Sequence, residues 1–397
     1  MTRPTPSYER PYAGLTVLDL SQGIAGPYCA MLLAQYGATV IKVEPFAGDW
    51  GRALGKRVGA HSALDLTANR GKRSLALDLR QAAGRDLLAR LAARADVVIE
   101  NFRPGVVDRL GVGYAAVSAT NPRVLYLSVS AFGQTGPARE KPGSDTVAQA
   151  FSGMMAANRD AAGKPQHTGF LAADYGTAMY AFQALAAALM ARPHEARGRH
   201  IDVSLVHAVG AFLAMKFIEE RLEGGPAPKL NAPAGSYRTQ DGWMAVTLTK
   251  EAHFPALCRA IGRPELAADP RFADFALRSA NLAALAPLLQ ETLATRTTAE
   301  WLAIFEEADV LASRIHDFSS WLDDPQVRAV GLVAEAAPPG LPPVPWVRVP
   351  GALHPPPGDA RLAWPEVGEH SAQILAEQLG IDEATIAQLR RDGVLPP

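Results

Sequence analysis

Three consecutive segments decide the fold: Leu15-Thr16-Val17-Leu18-Asp19-Leu20, then residues 27–36 (Pro-Tyr-Cys-Ala-Met-Leu-Leu-Ala-Gln-Tyr), then Ala38-Thr39-Val40-Ile41-Lys42-Val43-Glu44. The first and third are short apolar runs rich in β-branched residues, which predicts two buried strands. The second begins with Pro27, a residue favoured in the first turn of a helix, and it predicts a helix. Strand, helix and strand in this order are typical of a βαβ unit with parallel strands.

The same alternation continues along the first half of the chain. We predict strands at residues 74–79, 96–100 and 124–129, with a helix at about residues 82–95 between the first two. Strands that alternate with helices form a parallel sheet covered by helices. The sequence therefore predicts an α/β fold built on a Rossmann-like parallel sheet domain.

A second, smaller domain is predicted after Glu223-Gly224-Gly225-Pro226-Ala227-Pro228, which has the composition of a linker. Residues 243–249 predict one strand, and residues 282–293 and 299–307 predict amphipathic helices of an α+β domain. Residues 333–362 are rich in Pro and Val and predict an extended segment, before a helix near residues 370–379. We expect a large domain at 1–222, the linker and small domain at 223–325, and a C-terminal segment at 326–397 that returns to the large domain.

Composition and charge exclude several classes of protein. The 397 residues include 39 basic and 40 acidic ones, giving a net charge of −1 without long runs, so we expect no nucleic-acid partner and no polybasic membrane anchor. Cys29 and Cys258 are too few for a disulfide framework, and no apolar leader follows Met1. These features predict a protein of the cytoplasm that does not bind the membrane.

Two familiar ligand sites are only weakly indicated. Gly23, Gly26 and Glu44 follow the layout of a dinucleotide site, but Cys29, Ala30 and Met31 stand where the last glycine of the fingerprint belongs, so the pattern favours the fold alone. The histidines are scattered, and His194 and His200 lie in a polar stretch that we interpret as a solvated loop. We therefore predict no metal site.

Asp174 is the strongest candidate for chemistry. It stands near the start of a predicted helix in which the next charged residue is Arg192, so we expect that helix to be largely buried. A carboxylate at this position can be an N-cap, and considered alone the cap is favoured. The alternative is a nucleophilic carboxylate beside helix N–H groups that stabilise an oxyanion.

Segments spread over nearly the whole chain carry a resemblance to a known family. They are Gly14-Leu15-Thr16-Val17-Leu18-Asp19-Leu20, Ala25-Gly26-Pro27, Gly37-Ala38-Thr39-Val40-Ile41-Lys42-Val43-Glu44, Asn69-Arg70-Gly71-Lys72-Arg73-Ser74, Glu100-Asn101-Phe102-Arg103-Pro104-Gly105, Gly133-Gln134-Thr135-Gly136-Pro137, Asp145-Thr146-Val147-Ala148-Gln149-Ala150, Gly198-Arg199-His200-Ile201-Asp202-Val203-Ser204-Leu205 and Gly368-Glu369-His370. In these segments the chain resembles the class III CoA-transferase family, which also contains the α-methylacyl-CoA racemases.

The resemblance implies a CoA-transferase with Asp174 as its nucleophile. Its substrates would be an acyl-CoA and a small carboxylic acid, with coenzyme A as a substrate and no permanently bound cofactor, and relatives form interlocked homodimers. The residues that the resemblance places near CoA are Ile24, Ala25, Lys72, Arg73, Asn101, Phe102 and Arg109. Lys72 and Arg73 are expected at the nucleotide, Arg103 is expected to be a surface charge, and Asn101 has a capping role as its alternative.

Departures from the family pattern leave two alternatives open. Ser144 replaces the histidine that precedes the acid matching Asp145 in racemases, which disfavours a two-base racemase. Ile24 replaces a glutamine of formyl-CoA transferase-like members, and Pro45 replaces an arginine on the adenine side. An acyl-CoA racemase or epimerase is thus the second hypothesis, and a non-catalytic nucleotide-binding module, with Asp174 only a cap, is the third.

Overall fold

The computed structural model describes residues 4–160, 162–224, 231–356 and 358–397. The strands in chain order are β1 Thr16–Asp19, β2 Thr39–Glu44, β3 Arg57–Val58, β4 His61–Ser62, β5 Arg73–Ala76, β6 Val97–Glu100, β7 Leu125–Ser130, β8 Arg199–Ser204, β9 Gly235–Arg238, β10 Trp243–Thr247, β11 Leu311–Arg314, β12 Val333–Ala336 and β13 Val344–Val347. A six-stranded sheet has the order β5-β2-β1-β6-β7-β8, and its neighbouring strands are parallel. The predicted parallel sheet is confirmed.

Helices cover the sheet and form much of the remaining structure. In chain order they are α1 Ala25–Gln35, α2 Ala63–Ala68, α3 Ala82–Ala92, α4 Val106–Arg109, α5 Tyr114–Thr120, α6 Asp145–Phe151, α7 Met154–Ala157, α8 Ala172–Ala191, α9 Leu205–Phe212, α10 Ala214–Glu223, α11 His253–Ala260, α12 Glu265–Ala268, α13 Phe275–Ala280, α14 Leu282–Leu293, α15 Thr298–Glu307, α16 Phe318–Leu322, α17 Pro325–Ala329, α18 Ser371–Leu379 and α19 Glu383–Arg391. Within the described ranges, no helix combines the length and apolar character needed to cross a bilayer.

Packing divides the chain into two compact units, Met1–Leu213 with Leu332–Pro397, and Ala214–Gly331. The sequence placed these boundaries near residues 222 and 326. Helix α10, which the sequence kept with the large domain, belongs to the second unit. Residues 225–228 of the predicted linker lie outside the described residues.

The first unit has a core on each face of its sheet because successive strand side chains point to opposite faces. Val17, on one face, packs in a cluster with side chains of α1, α8 and α9. Leu18, on the other, packs in a cluster with side chains of α3, α18 and α19. Side chains of the C-terminal residues thus complete the core on this face of the sheet. The prediction that residues 326–397 return to the large domain agrees with this packing.

Three features differ from the expectations. Residues 199–204 form the edge strand β8, so His200 lies on a strand and not in a loop; its ring stacks on Tyr114 with centroids 4.8 Å apart, and its Nε2 lies 2.9 Å from Ser128 Oγ. Helix α6 was not expected. Helix α8 is buried on one face only, since Met179 and Met190 are exposed.

The second unit is a smaller α+β structure. Its antiparallel sheet has the order β11-β10-β9, and helices α11, α14 and α15 contribute to a core that includes Phe254, Leu289 and Phe305.

Candidate active site

Asp174 is the third residue of α8 and not its cap. The residue before the helix is Leu171, whose side chain makes no capping hydrogen bond. The cap comes from elsewhere in the chain: Asp145 Oδ1 accepts hydrogen bonds from the N–H groups of Ala173 at 2.7 Å and Asp174 at 3.2 Å. Among the described residues, no group donates a hydrogen bond to the Asp174 carboxylate. The interpretation of Asp174 as a simple cap is therefore wrong, and its carboxylate is free for chemistry.

Asp145 is fixed in this capping role by its own helix. It is the first residue of α6 and is buried. Its Oδ2 accepts a hydrogen bond from Gln149 Nε2 at 2.6 Å, one turn further along α6, and Gln149 Oε1 in turn accepts one from Thr168 N at 2.9 Å. Both oxygens of Asp145 are thus occupied.

A cavity of about 330 Å³ gives a ligand access to Asp174. Its walls come from the end of β7, from loops, and from the first turns of α1, α6, α8 and α9. The lining residues are Gln22, Ile24, Ala25, Trp50, Asn101, Phe102, Arg103, Val129, Ser130, Ala131, Gly143, Ser144, Asp145, Asp174 and Leu205. Carboxyl ends of parallel strands are where α/β sheets bind ligands.

The electrostatics of the cavity favour the protonated form of Asp174 in the free protein. Burial, with repulsion from Asp145 as the second cause, raises the pKa of Asp174 to about 7. A carboxyl group with its pKa near neutrality and no internal partner is typical of a functional site.

This raised pKa predicts a cost to stability. Above pH 7 the folded protein holds a charged Asp174, whereas the unfolded chain ionises that group near pH 4, so stability falls between these values as pH rises. We expect Asp174→Asn to raise the free energy of unfolding by on the order of 2–4 kcal/mol above pH 7, and by almost nothing at pH 4. Urea unfolding of both proteins from pH 4 to pH 8 measures this difference. A difference that stays constant over the range would contradict the raised pKa.

A larger cavity of about 700 Å³ lies along the ends of β1, β2 and β5. It is lined by Leu20, Gln22, Val43, Glu44, Pro45, Phe46, Ala47, Leu77, Asp78, Leu79, Arg80, Leu88, Phe102 and Leu110. Gln22 and Phe102 line both cavities, so the two adjoin along this edge of the sheet. This edge of the sheet therefore has the larger, mainly apolar cavity at one end and the Asp174 carboxylate at the other.

Four of the predicted contacts lie at these cavities. Ile24, Ala25, Asn101 and Phe102 line the Asp174 cavity. Asn101 also holds the loop after β1, because its Oδ1 accepts from Gln22 N at 2.8 Å and its Nδ2 donates to Gln22 O at 2.7 Å. Its side-chain amide therefore positions the wall of the cavity.

Lys72 does not lie at either cavity, contrary to the phosphate contact expected for it. Its Nζ is buried and donates to Asp19 Oδ2 at 2.7 Å and to Asn69 Oδ1 at 2.9 Å. A buried ammonium held by a carboxylate cannot reach a ligand without breaking that ion pair. In this structure Lys72 is part of the fold.

Arg73 and Arg109 also lie outside both linings. Arg73 forms an ion pair with Glu377, with Nη1 and Oε2 2.7 Å apart. Arg109 ends the short helix α4 and is exposed, and its neighbour Leu110 lines the larger cavity. Of these two, Arg109 is therefore placed beside the site.

Sequence reasoning missed three residues of the Asp174 cavity. The sequence predicted no role at the site for Asp145, although this residue belongs to one of the segments that carry the family resemblance. Arg103 is exposed, as its prediction as a surface charge requires, but it also lines the cavity. Trp50 gave no signal; its indole lies against Gly23, which has a φ of +78°, and a Cβ at Gly23 would overlap that ring.

The sequence predicted that N–H groups at the start of α8 stabilise an oxyanion, but those groups already donate hydrogen bonds within the protein. The N–H groups of Ala173 and Asp174 are taken by Asp145, whereas helix α1 has no side-chain cap. In the described part of the chain, the N–H groups of Ala25 and Gly26 donate no hydrogen bond, and Ala25 lines the cavity with Asp174. The free donors of α1 thus lie at the cavity.

No group of three or more His, Cys, Asp or Glu side chains within the described ranges is arranged to hold a metal ion. Glu44, the acid of the dinucleotide-like pattern, is bound inside the protein. Its Oε2 lies 2.8 Å from Arg52 Nε and its Oε1 accepts from Ser74 Oγ at 2.6 Å.

Comparisons with known proteins identify the family of this chain. The sequence profile of the CoA-transferase family III matches residues 12–371. Acetyl-CoA:oxalate CoA-transferase of Acetobacter aceti is 36% identical over 345 residues, covering 85% of this chain and 89% of that protein. Succinyl-CoA:glutarate CoA-transferase of Homo sapiens is 32% identical over an alignment of 405 residues, covering 97% of this chain and 90% of that protein.

A solved structure shows the same architecture. The crystal structure of a CAIB/BAIF family protein from Brucella suis superposes with a TM-score of 0.81 at 34% identity, covering 93% of this chain and 99% of that one. The chain therefore belongs to the CoA-transferase family III and is an enzyme of that class.

Proposed function

We propose that this protein moves CoA from an acyl-CoA donor to a small organic acid, with Asp174 as the nucleophile. The observation that carries the proposal is the separation of two roles at the start of α8: Asp145 caps the helix, and the Asp174 carboxylate faces a cavity without an internal partner. A carboxylate held in this way can attack a thioester.

The proposed reaction uses Asp174 to hold the acyl group and then CoA. An Asp174 oxygen attacks the donor thioester carbonyl and the C–S bond breaks. CoA leaves as a thiolate, and the acyl group remains bound to Asp174 as a mixed anhydride. The thiolate attacks the aspartyl carbonyl and releases the donor acid, leaving an aspartyl-CoA thioester. The acceptor carboxylate then displaces CoA to form a second anhydride, and the returning thiolate attacks its acyl carbonyl. This last step yields the new acyl-CoA and restores Asp174.

Each step passes through an oxyanion, and the start of α1 is the candidate to stabilise it. The N–H groups of Ala25 and Gly26 are free among the described residues, and the positive end of the helix dipole favours negative charge. The third residue of α1, Pro27, has no N–H group. Ala25 and Gly26 therefore supply the backbone donors of the first three helical residues. Losing one such donor typically costs about 3 kcal/mol of transition-state stabilisation.

The adjoining cavities support a placement for CoA. The 700 Å³ recess is mostly apolar and suits the adenine, and Gln22 and Phe102 lead from it towards Asp174 along the path of the pantetheine arm. Arg80 lines the recess and Arg109 lies beside it, where both can meet phosphates. Arg103, at the Asp174 end, is placed to pair with a carboxylate of the acceptor. The oxalate and glutarate enzymes among the relatives support a dicarboxylic acid in that role.

A racemase is less well supported by the cavity. The carboxyl groups among the described lining residues of the cavity are those of Asp174 and Asp145. Both oxygens of Asp145 already accept hydrogen bonds. A two-base mechanism would have to break the cap of α8.

We also propose that the protein is a homodimer, as the family resemblance implies. Met179 and Met190 of α8, with Phe151 and Phe170, are apolar side chains exposed on the first unit. Exposed apolar surface of this kind is typical of protein interfaces. Sedimentation velocity measures the assembly state.

Trapping the covalent intermediate tests the proposed transfer. The protein is incubated with succinyl-CoA or acetyl-CoA and quenched with hydroxylamine, which converts an aspartyl thioester or anhydride to a hydroxamate, and the peptide that contains Asp174 is analysed by mass spectrometry. Modification of Asp174, absent in Asp174→Asn, supports transfer. An unmodified peptide together with deuterium uptake at the α-carbon of a 2-methylacyl-CoA in heavy water would replace transfer by racemisation.

The raised pKa of Asp174 predicts how the reaction depends on pH. Only the ionised carboxylate attacks, so kcat/KM for the acyl-CoA should rise about tenfold per pH unit below pH 7 and level off above it. Asp145→Asn removes the second cause of the raised pKa while keeping an oxygen for the cap, so its inflection should move to lower pH. Steady-state rates from pH 5 to pH 9 measure both profiles, and identical inflections would contradict the coupling of the two acids.

A further inference from the structure

A third cavity of the first unit shares no lining residue with the Asp174 cavity, although Tyr175 of its lining directly follows Asp174 in the sequence. Its volume is about 490 Å³, and its walls are mainly apolar and aromatic. The lining includes Tyr28 and Met31 of α1, Tyr175 of α8, and Trp346 of β13. Arg70 is the charged group of this lining.

Arg70 is an exception among the buried cations. Arg70 is only 4% exposed to solvent, and its Nε has no hydrogen-bond partner among the described residues. Among the described residues, no carboxylate pairs with its guanidinium, which lies over the Trp346 ring with Cζ 4.1 Å from the centroid. Lys42 and Lys72, which are also buried, each lie within 2.8 Å of a carboxylate oxygen.

A buried charge that has a cation–π contact but no anionic partner is still costly, so the structure leaves room for an anion at this guanidinium. Burial lowers the pKa of Arg70 to about 10, and the group therefore remains charged at neutral pH. A guanidinium presents parallel N–H donors that match the two oxygens of a carboxylate. The aromatic walls around it suit an apolar body attached to that carboxylate.

We propose that the Arg70 cavity binds the carboxylate of an acid with an apolar body, at a site separate from the Asp174 cavity. The carboxylate pairs with the guanidinium of Arg70, and the apolar body packs against Tyr28, Tyr175 and Trp346. The tyrosine rings meet edge to face with centroids 5.0 Å apart and form one wall. The proposal does not depend on the transfer of CoA.

Calorimetric titration of the full chain tests this site with defined probes. Hexanoate and phenylacetate should bind to the wild-type protein, and phenylacetamide, which keeps the shape without the charge, should bind at least about tenfold more weakly. Arg70→Gln should weaken binding of both acids by at least about tenfold. Arg73→Gln is the matched control, because that arginine lies three residues further along and is paired with Glu377, and it should leave binding unchanged.

Arg70→Met separates loss of the site from loss of the fold. Removing an unpaired buried charge should leave the melting temperature without ligand equal to or above that of the wild type, while the rise in melting temperature caused by hexanoate disappears. Acids that bind as acceptors near Asp174 would bind equally well to the Arg70 variants. Measurable binding of either acid that is equally strong to wild type and Arg70→Gln therefore overturns the proposal.

The carboxylate can come from a free acid or from a side chain of a second copy of this chain. Binding of the probes that depends on Arg70 identifies a free acid. If neither acid binds and Arg70→Gln weakens self-association at least about tenfold in sedimentation velocity, a second copy supplies the carboxylate. Absence of both effects overturns the site.

Discussion

Asp174→Ala is expected to lower the rate of CoA transfer by about 10⁴-fold or more, because the variant has no group on which to hold the acyl moiety between the two half-reactions. Affinity for CoA should change little, since the cavity at the ends of β1, β2 and β5 does not include this residue. Transfer is measured by following the new acyl-CoA with mass spectrometry, and affinity by calorimetry.

The capping acid provides a control for this experiment. Asp145→Asn keeps an oxygen for the N–H groups of Ala173 and Asp174 and keeps the nucleophile, so transfer at pH 8 should remain within about tenfold of the wild-type rate. Transfer by Asp174→Ala at a tenth or more of the wild-type rate would contradict the assignment of the nucleophile.

Lys72→Met is expected to lower the free energy of unfolding by about 3–5 kcal/mol, because it leaves the buried carboxylate of Asp19 without its cation. The effect should be on stability and not on the KM for acyl-CoA. Urea unfolding measures the first quantity and steady-state kinetics the second.

Two variants make this result specific. Asp19→Asn combined with Lys72→Met removes both charges and should recover part of the loss. Arg73→Gln breaks a partly exposed ion pair and should cost no more than about 1 kcal/mol. A stable Lys72→Met protein with a KM raised tenfold would show instead that Lys72 contacts the ligand.

The sheet could be predicted from the sequence because its central strands are apolar runs, as in residues 15–20, 38–44 and 96–100. Strand β8 could not, since Arg-His-Ile-Asp-Val-Ser mixes charged and apolar residues. Its position explains this composition: it is an edge strand in which only Ile201 and Ser204 are buried. Charged residues are common on edge strands.

The site could be predicted only where one segment contains the signal. Asp174 was found because it is the acid of an otherwise uncharged helix, but its cap, Asp145, lies in a different helix and no local pattern joins the two. Lys72 and Arg73 are adjacent basic residues that look equivalent in sequence. Folding separates them, since Lys72 meets Asp19 inside the protein and Arg73 meets Glu377 near the surface.

The return of the C-terminal residues to the first unit has a consequence for synthesis on the ribosome. Ile374, Leu379 and Leu395 belong to the core on one face of the parallel sheet, and residues 214–331 are translated between that sheet and these side chains. One apolar face of the nascent sheet therefore remains incompletely covered until the whole second unit and the C-terminal residues have left the exit tunnel. Over that interval the nascent chain is a natural client for a holding chaperone, and the second unit, continuous in sequence, can fold before the first is complete.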